Sequence, residues 1–147
     1  MKLNQLSVFL ENKPGKLSVP CRALAKAGIN ILTLSLADTH QFGILRLILR
    51  DWQRARKVLE EAGCVVNATE VVAIEVPDRP GGLAVVLDVI ERANINLEYM
   101  YAFSFRRKDT AILVFRFEKP DEAIKALQDA AINVIAEVDL FDRAPKG

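Results

Sequence analysis

A single histidine and two cysteines among 147 residues leave little from which to build a metal centre or a nucleophile with its base. Cys21 and Cys64 fall in different predicted elements without CxxC or metal-ligand spacing, so both are expected as reduced thiols packed like small hydrophobes. His40 falls in a turn without partner cysteines or carboxylates and is expected to be solvated. Paired carboxylates at catalytic spacing are also missing, so no enzyme activity, metal or cofactor is expected. No apolar run reaches the roughly 18 residues needed to cross a bilayer. Met1 to Asn4 lead straight into a strand pattern without the apolar core and cleavage site of a secretory leader. The expected location is therefore cytoplasmic, where the glycosylation-type triplet Asn67-Ala68-Thr69 stays unused. Excess charge of one sign is absent too. Twenty basic residues against 19 acidic ones leave a net charge of +1, which gives no overall pull toward nucleic acid or anionic membrane.

What is present is a repeat. The composition, 51% hydrophobic with 27% charged, is that of a water-soluble globular chain. Within it, Asn12-Lys13-Pro14-Gly15-Lys16-Leu17 is restated as Asp78-Arg79-Pro80-Gly81-Gly82-Leu83: a polar residue, a basic residue, Pro-Gly, a variable residue, Leu. Each copy follows an alternating apolar run, Leu6, Val8 and Leu10 or Val72, Ile74 and Val76. Each precedes apolar residues at helical spacing, Leu17, Cys21 and Leu24 or Leu83, Val86, Leu87 and Ile90. A strand that passes through Pro-Gly into a helix leaves unpaired N–H groups at the helix start, and glycine lets another molecule approach them.

The order of elements is also duplicated. Ala27-Gly28-Ile29-Asn30-Ile31 matches Ala93-Asn94-Ile95-Asn96-Leu97, and each leads into a second strand, one reaching Asp38 and the other carrying Leu97, Tyr99, Tyr101, Phe103 and Phe105 on one face. Third strands follow at 44–50 and 110–117. Helices are expected over Ala55 to Ala62 and from Pro120 through Leu127. Closing strands are expected at Cys64-Val65-Val66 and over Val134 to Phe141. Each half therefore reads as strand-helix-strand-strand-helix-strand, the ferredoxin-like unit. The predicted fold is α+β, two βαββαβ units in tandem over residues 1–69 and 70–147, each an antiparallel sheet with helices on one face. The linker is short or absent, because Thr69-Glu70-Val71 passes directly from one unit to the next.

On the two Pro-Gly turns and the two Ile-Asn segments, the chain resembles the ACT domain, an amino-acid-sensing module, and more narrowly the stand-alone proteins with two ACT domains and no attached catalytic domain. The resemblance implies a non-catalytic regulatory protein that binds a free amino acid where two ACT units meet. The turn after a first strand would supply backbone donors and the start of a neighbour's second strand would close the pocket. Carried onto this chain, the implied ligand residues are Asn12, Pro14, Gly15 and Leu17, then Asp78, Pro80, Gly81 and Leu83. The implied closing residues are Asn30 and Ile31 with Asn96 and Leu97. Asp78 replaces Asn12 and Gly82 replaces Lys16 between the copies, so unequal sites are expected. A homodimer is expected as well, together with an unidentified metabolic enzyme or regulator as partner.

Two other readings share this topology. An RNA-binding domain of the RRM type would stack bases on aromatics of its first and third strands. Here Ile44 to Arg50 has no aromatic and Thr110 to Phe117 lacks the glycines of that motif. A structural or interaction module would keep the fold without the ligand, its Asn, Asp and Pro-Gly serving only as turn and cap residues.

Overall fold

The computed structural model describes residues 1–38, 40–104 and 108–144. Thr39, Phe105, Arg106 and Arg107 lie outside the described residues, and with them the end of the expected aromatic second strand. Among the described residues the elements follow in the order β1 (Lys2–Glu11), α1 (Ser18–Lys26), β2 (Thr33–Asp38), β3 (Phe42–Ile48), α2 (Trp52–Glu61), β4 (Val65–Pro77), α3 (Gly82–Arg92), β5 (Leu97–Ala102), β6 (Thr110–Phe117), α4 (Pro120–Asp129), β7 (Val134–Ile135) and α5 (Glu137–Arg143). The chain divides into an amino-terminal unit, Asn4–Thr69, and a carboxy-terminal unit, Glu70–Ala144 with Met1–Leu3. β4 contributes to both, its first residues ending one unit and Glu70 onward opening the other.

Strand order is β2-β3-β1-β4 in the amino-terminal unit and β7-β4-β6-β5 in the carboxy-terminal one. Antiparallel pairing places Leu6 opposite Leu47 and Val8 opposite Leu45 in the first, and Val72 opposite Phe115 and Ile74 opposite Leu113 in the second. Those period-2 apolar faces meet the helices. Leu24 of α1 and Ala55 and Leu59 of α2 pack on Leu6, Val8, Leu45 and Leu47. Val86 and Ile90 of α3, with Ala123 and Leu127 of α4, pack on Val72, Ile74, Val76, Phe115 and Phe117.

Local chemistry sets the helix ends. Asp51 caps α2 by accepting from the Arg54 amide at 3.2 Å, and Pro120 opens α4 at a position where a missing N–H costs nothing. Gly28 and Asn94, at equivalent places in the repeat, both take positive φ, 70° and 56°, to end α1 and α3. Ile29 N and Ile95 N then donate back to Leu24 O and Ile90 O.

Two expectations change, and one observation adds to them. Residues 134–141 are not one strand. Only Val134 and Ile135 pair with β4, and the chain then turns into α5. A helix buries Leu140 together with Ala144 one turn on, sets Glu137 and Asp139 at its positive end, and leaves Val138 exposed. The aromatic strand does not keep one face either. A bulge between Leu97 and Tyr99 shifts the register, so Leu97 and Met100 pack on the helix-side core while Tyr99 lies opposite Arg116 and Tyr101 opposite Val114. Finally, the sheet face away from the helices is also buried in part, at Gln5, Ser7, Thr33 and Ile48 in one unit and Val71, Ala73, Ile112 and Val114 in the other.

Candidate functional site

The two Pro-Gly turns share a conformation at their glycine and differ in how the helix leaves it. Gly15 and Gly81 have φ of 85° and 87°, the left-handed region that an L side chain rarely occupies, and nothing lies within 4 Å of where a Cβ would stand. Both turns are therefore open at the glycine. After Gly81, α3 starts at once. Gly82 lies against the end of β4, where a Cβ would overlap the Pro77 carbonyl oxygen, and its amide donates to Arg79 O at 3.0 Å. No side chain caps α3. Leu83 and Ala84 occupy positions whose amides have no acceptor within a helix, and these are the donors that the sequence pattern anticipated. In the amino-terminal unit, Lys16 stands where Gly82 does, and α1 begins only at Ser18.

The expected ligand residues are placed unequally. Asn12 is a structural clamp: its backbone N donates to Gln41 O at 2.8 Å and its side-chain Nδ2 to His40 O at 2.9 Å, which ties the turn to the β2–β3 hairpin. Asn12 and Leu17 line a small cavity of about 180 Å³ with Asp38 and Gly43, and Pro14 lies exposed beside Gly15. At the second turn, Asp78 N donates to Asp109 O at 2.7 Å, and Leu83 lies half-buried against the core. Asn30 is exposed and precedes β2, while Ile31 packs on the amino-terminal core. Asn96 and Leu97 line a cavity of about 640 Å³ with Glu91 and Lys119 that does not include the Gly81 turn. Each unit thus brings its turn residues together and keeps its second-strand residues apart from them.

A cavity of about 520 Å³ lies beside the second turn. Arg79, Pro80, Gly81 and Gly82 form one side, Glu75, Val76 and Pro77 the strand side, and Thr110 and Asn133 with the apolar Val85, Val86, Ala130, Ala131 and Ile132 the remainder. The Glu75 carboxylate accepts from Arg143 Nη1 of α5 at 2.6 Å and from Asn133 Nδ2 at 3.3 Å. The sequence pattern did not single out Glu75, Thr110 or Asn133. The available signal was a carboxylate set between Ile74 and Val76, at the position where the first copy has Phe9. Near the first turn, Lys13 Nζ lies 3.0 Å from Glu11 Oε2. That contact, with the nearby charge of Lys16, holds the Glu11 carboxyl below its usual range.

Among the described residues no group of three or more His, Cys, Asp or Glu side chains could hold a metal ion, and no described helix is long and apolar enough to cross a membrane. Phe115 and Phe117 of β6 stack at 5.5 Å but are fully buried beneath the helices, where no base could reach them. That placement leaves no base-stacking platform on β6.

Residues 1–144 match the family model described as an ACT domain pair. The chain belongs to this family. An ACT domain pair is a regulatory module and not a catalytic one. Among solved structures, a protein from Bacteroides thetaiotaomicron is 39% identical with a TM-score of 0.89, over 96% of this chain and 96% of its own. The regulatory subunit of aspartate kinase from Thermus thermophilus, in ligand-free form, shares the fold at 16% identity and a TM-score of 0.61, over 86% of this chain and 91% of its own. The corresponding subunit from Thermus flavus does so at 18% identity and 0.58, over 87% and 92%. Among curated proteins none matches this ACT domain pair.

Proposed function

We propose that this ACT domain pair is a cytoplasmic, non-catalytic sensor that binds a free amino acid, with the carboxy-terminal turn as the stronger site. The observation that carries this reading is the open glycine at the uncapped start of α3, set in the wall of a cavity of about 520 Å³. That volume is in the ordinary range for small-ligand sites, about 300–1,000 Å³. The ligand carboxylate sits against the Leu83 and Ala84 amides, aided by a helix dipole worth about 0.3–1 kcal/mol. Asp78, on the same turn, provides an acceptor for the ammonium, and Pro80, Gly81 and Arg79 frame the ligand.

The amino-terminal set, Asn12, Pro14, Gly15 and Leu17, keeps the turn but spends its asparagine on the hairpin and delays its helix. Its affinity for the same ligand is lower. Asn30, Ile31, Asn96 and Leu97 enter the reading through a second copy of the chain, which is why a homodimer belongs to it. An unidentified metabolic enzyme or regulator receives the signal.

Calorimetry against the twenty amino acids tests the proposal. At least one should bind, and its carboxamide should bind at least about tenfold more weakly, the loss of one charge-assisted contact. The absence of heat and of any thermal shift from all twenty would end it.

A further inference from the structure

Both units keep a cavity of about 520 Å³ at the same place, and the duplication has replaced several of its wall residues. Glu75, Thr110 and Asn133 of the carboxy-terminal cavity correspond to Phe9, Phe42 and Val65 of the amino-terminal one, and Gly82 corresponds to Lys16. Val85 and Val19 are the shared wall. Four side chains of the amino-terminal cavity are large, apolar and exposed: Phe9 at 41%, Val19 at 43%, Phe42 at 53% and Val65 at 64%. Water-exposed aromatic and branched side chains converging on one concavity mark a binding surface.

The rim decides what kind of ligand fits. Glu11 is joined to Lys13 at 3.0 Å, so its charge is already matched, and Lys16 adds a second cation beside it. Cys64 lines the cavity as a neutral thiol, because burial pushes its pKa up. The rim therefore carries a net positive charge over an apolar wall. The one carboxylate among the lining side chains, Glu11, is already paired with Lys13, whereas a carboxylate ligand finds Lys16.

The geometry points to a second binding site, in the amino-terminal cavity, for a hydrophobic carboxylate lacking an α-ammonium: the aromatic or branched body against Phe9, Phe42, Val19 and Val65, the acid group at Lys16. This inference stands apart from the amino-acid site at Gly81, which occupies the other unit's turn.

The test uses the full chain and 3-phenylpropanoate as probe, followed by amide NMR shifts. Expected are saturable shifts at Phe9, Phe42 and Cys64 to Val66, with 3-phenylpropanamide and L-phenylalanine each about tenfold weaker. Lys16→Gln should cost about tenfold, and Phe9→Glu, which installs the other unit's residue, should abolish binding. If Phe9→Glu does not fold, Lys16→Gln and the amide comparison still decide. Shifts centred on Gly81 to Ala84 would place the probe in the other cavity and overturn the inference. So would no saturable shift at millimolar probe, and so would light scattering in which Phe9→Glu splits a dimer while no carboxylate binds. A failure here leaves the amino-acid titrations untouched, since those read the α3 start.

Discussion

Gly82 carries a constraint that its counterpart Lys16 does not. A methyl group at Gly82 would be driven into the Pro77 carbonyl oxygen, which is backbone and has no rotamer to escape through. Gly82→Ala should therefore destabilise the chain by about 1–3 kcal/mol, the usual range for overpacking. Lys16→Ala, at an exposed position with no such contact, should stay within about 0.5 kcal/mol. Paired denaturant titrations check both, and equal effects would mean that the two turns are built alike after all. At this scale the sequence was partly legible. The Pro-Gly pair and its left-handed glycine could be read from residue type, since only glycine adopts that φ without strain. That Asn12 serves the β2–β3 hairpin could not, because its acceptor on His40 is 28 residues away and is fixed only when the hairpin docks.

Among the elements, α5 departs furthest from the repeat. Its placement depends on one buried leucine, Leu140, and on the contact of Arg143 with Glu75, an ion pair with both side chains about three-quarters buried or more. Arg143→Ala should cost about 1–2 kcal/mol, a charge-assisted bond discounted for partial solvent access. It should also speed amide exchange in α5 above that of α4. Val138→Ala, at a position 71% exposed, should change neither. Stability and exchange unchanged in Arg143→Ala would show that the ion pair does not hold the helix. The alternation Val134, Ala136, Val138, Leu140 is a fair strand pattern, and it misleads past Ile135 because residues 137–143 satisfy a helix that buries Leu140 with Ala144. The aromatic run from Leu97 to Phe103 misleads in a related way: one bulge reverses the face of every residue beyond it, and sequence carries no mark of where a register slips.

For the molecule as a whole, light scattering should find a homodimer with and without amino acid, and a monomer under both conditions would contradict that part of the proposal. The duplication and the ferredoxin-like order of each half were readable from residues alone, because period-2 and period-3.6 patterns and a Pro-Gly turn are local properties that recur at a fixed offset; the ACT family entered through the resemblance of the two Pro-Gly turns and the two Ile-Asn segments. The cavities were not readable. Glu75 meets Arg143 and Asn133 across separations of 68 and 58 residues, and Phe9 meets Phe42 and Val65 through three different strands. Sequence determined where each half would turn and open a helix, since backbone conformation answers to the residue and its near neighbours. Only the tertiary structure decided which side chains line each cavity, Glu75, Thr110 and Asn133 in one and Phe9, Phe42 and Val65 in the other, since those groups meet only once distant strands lie side by side.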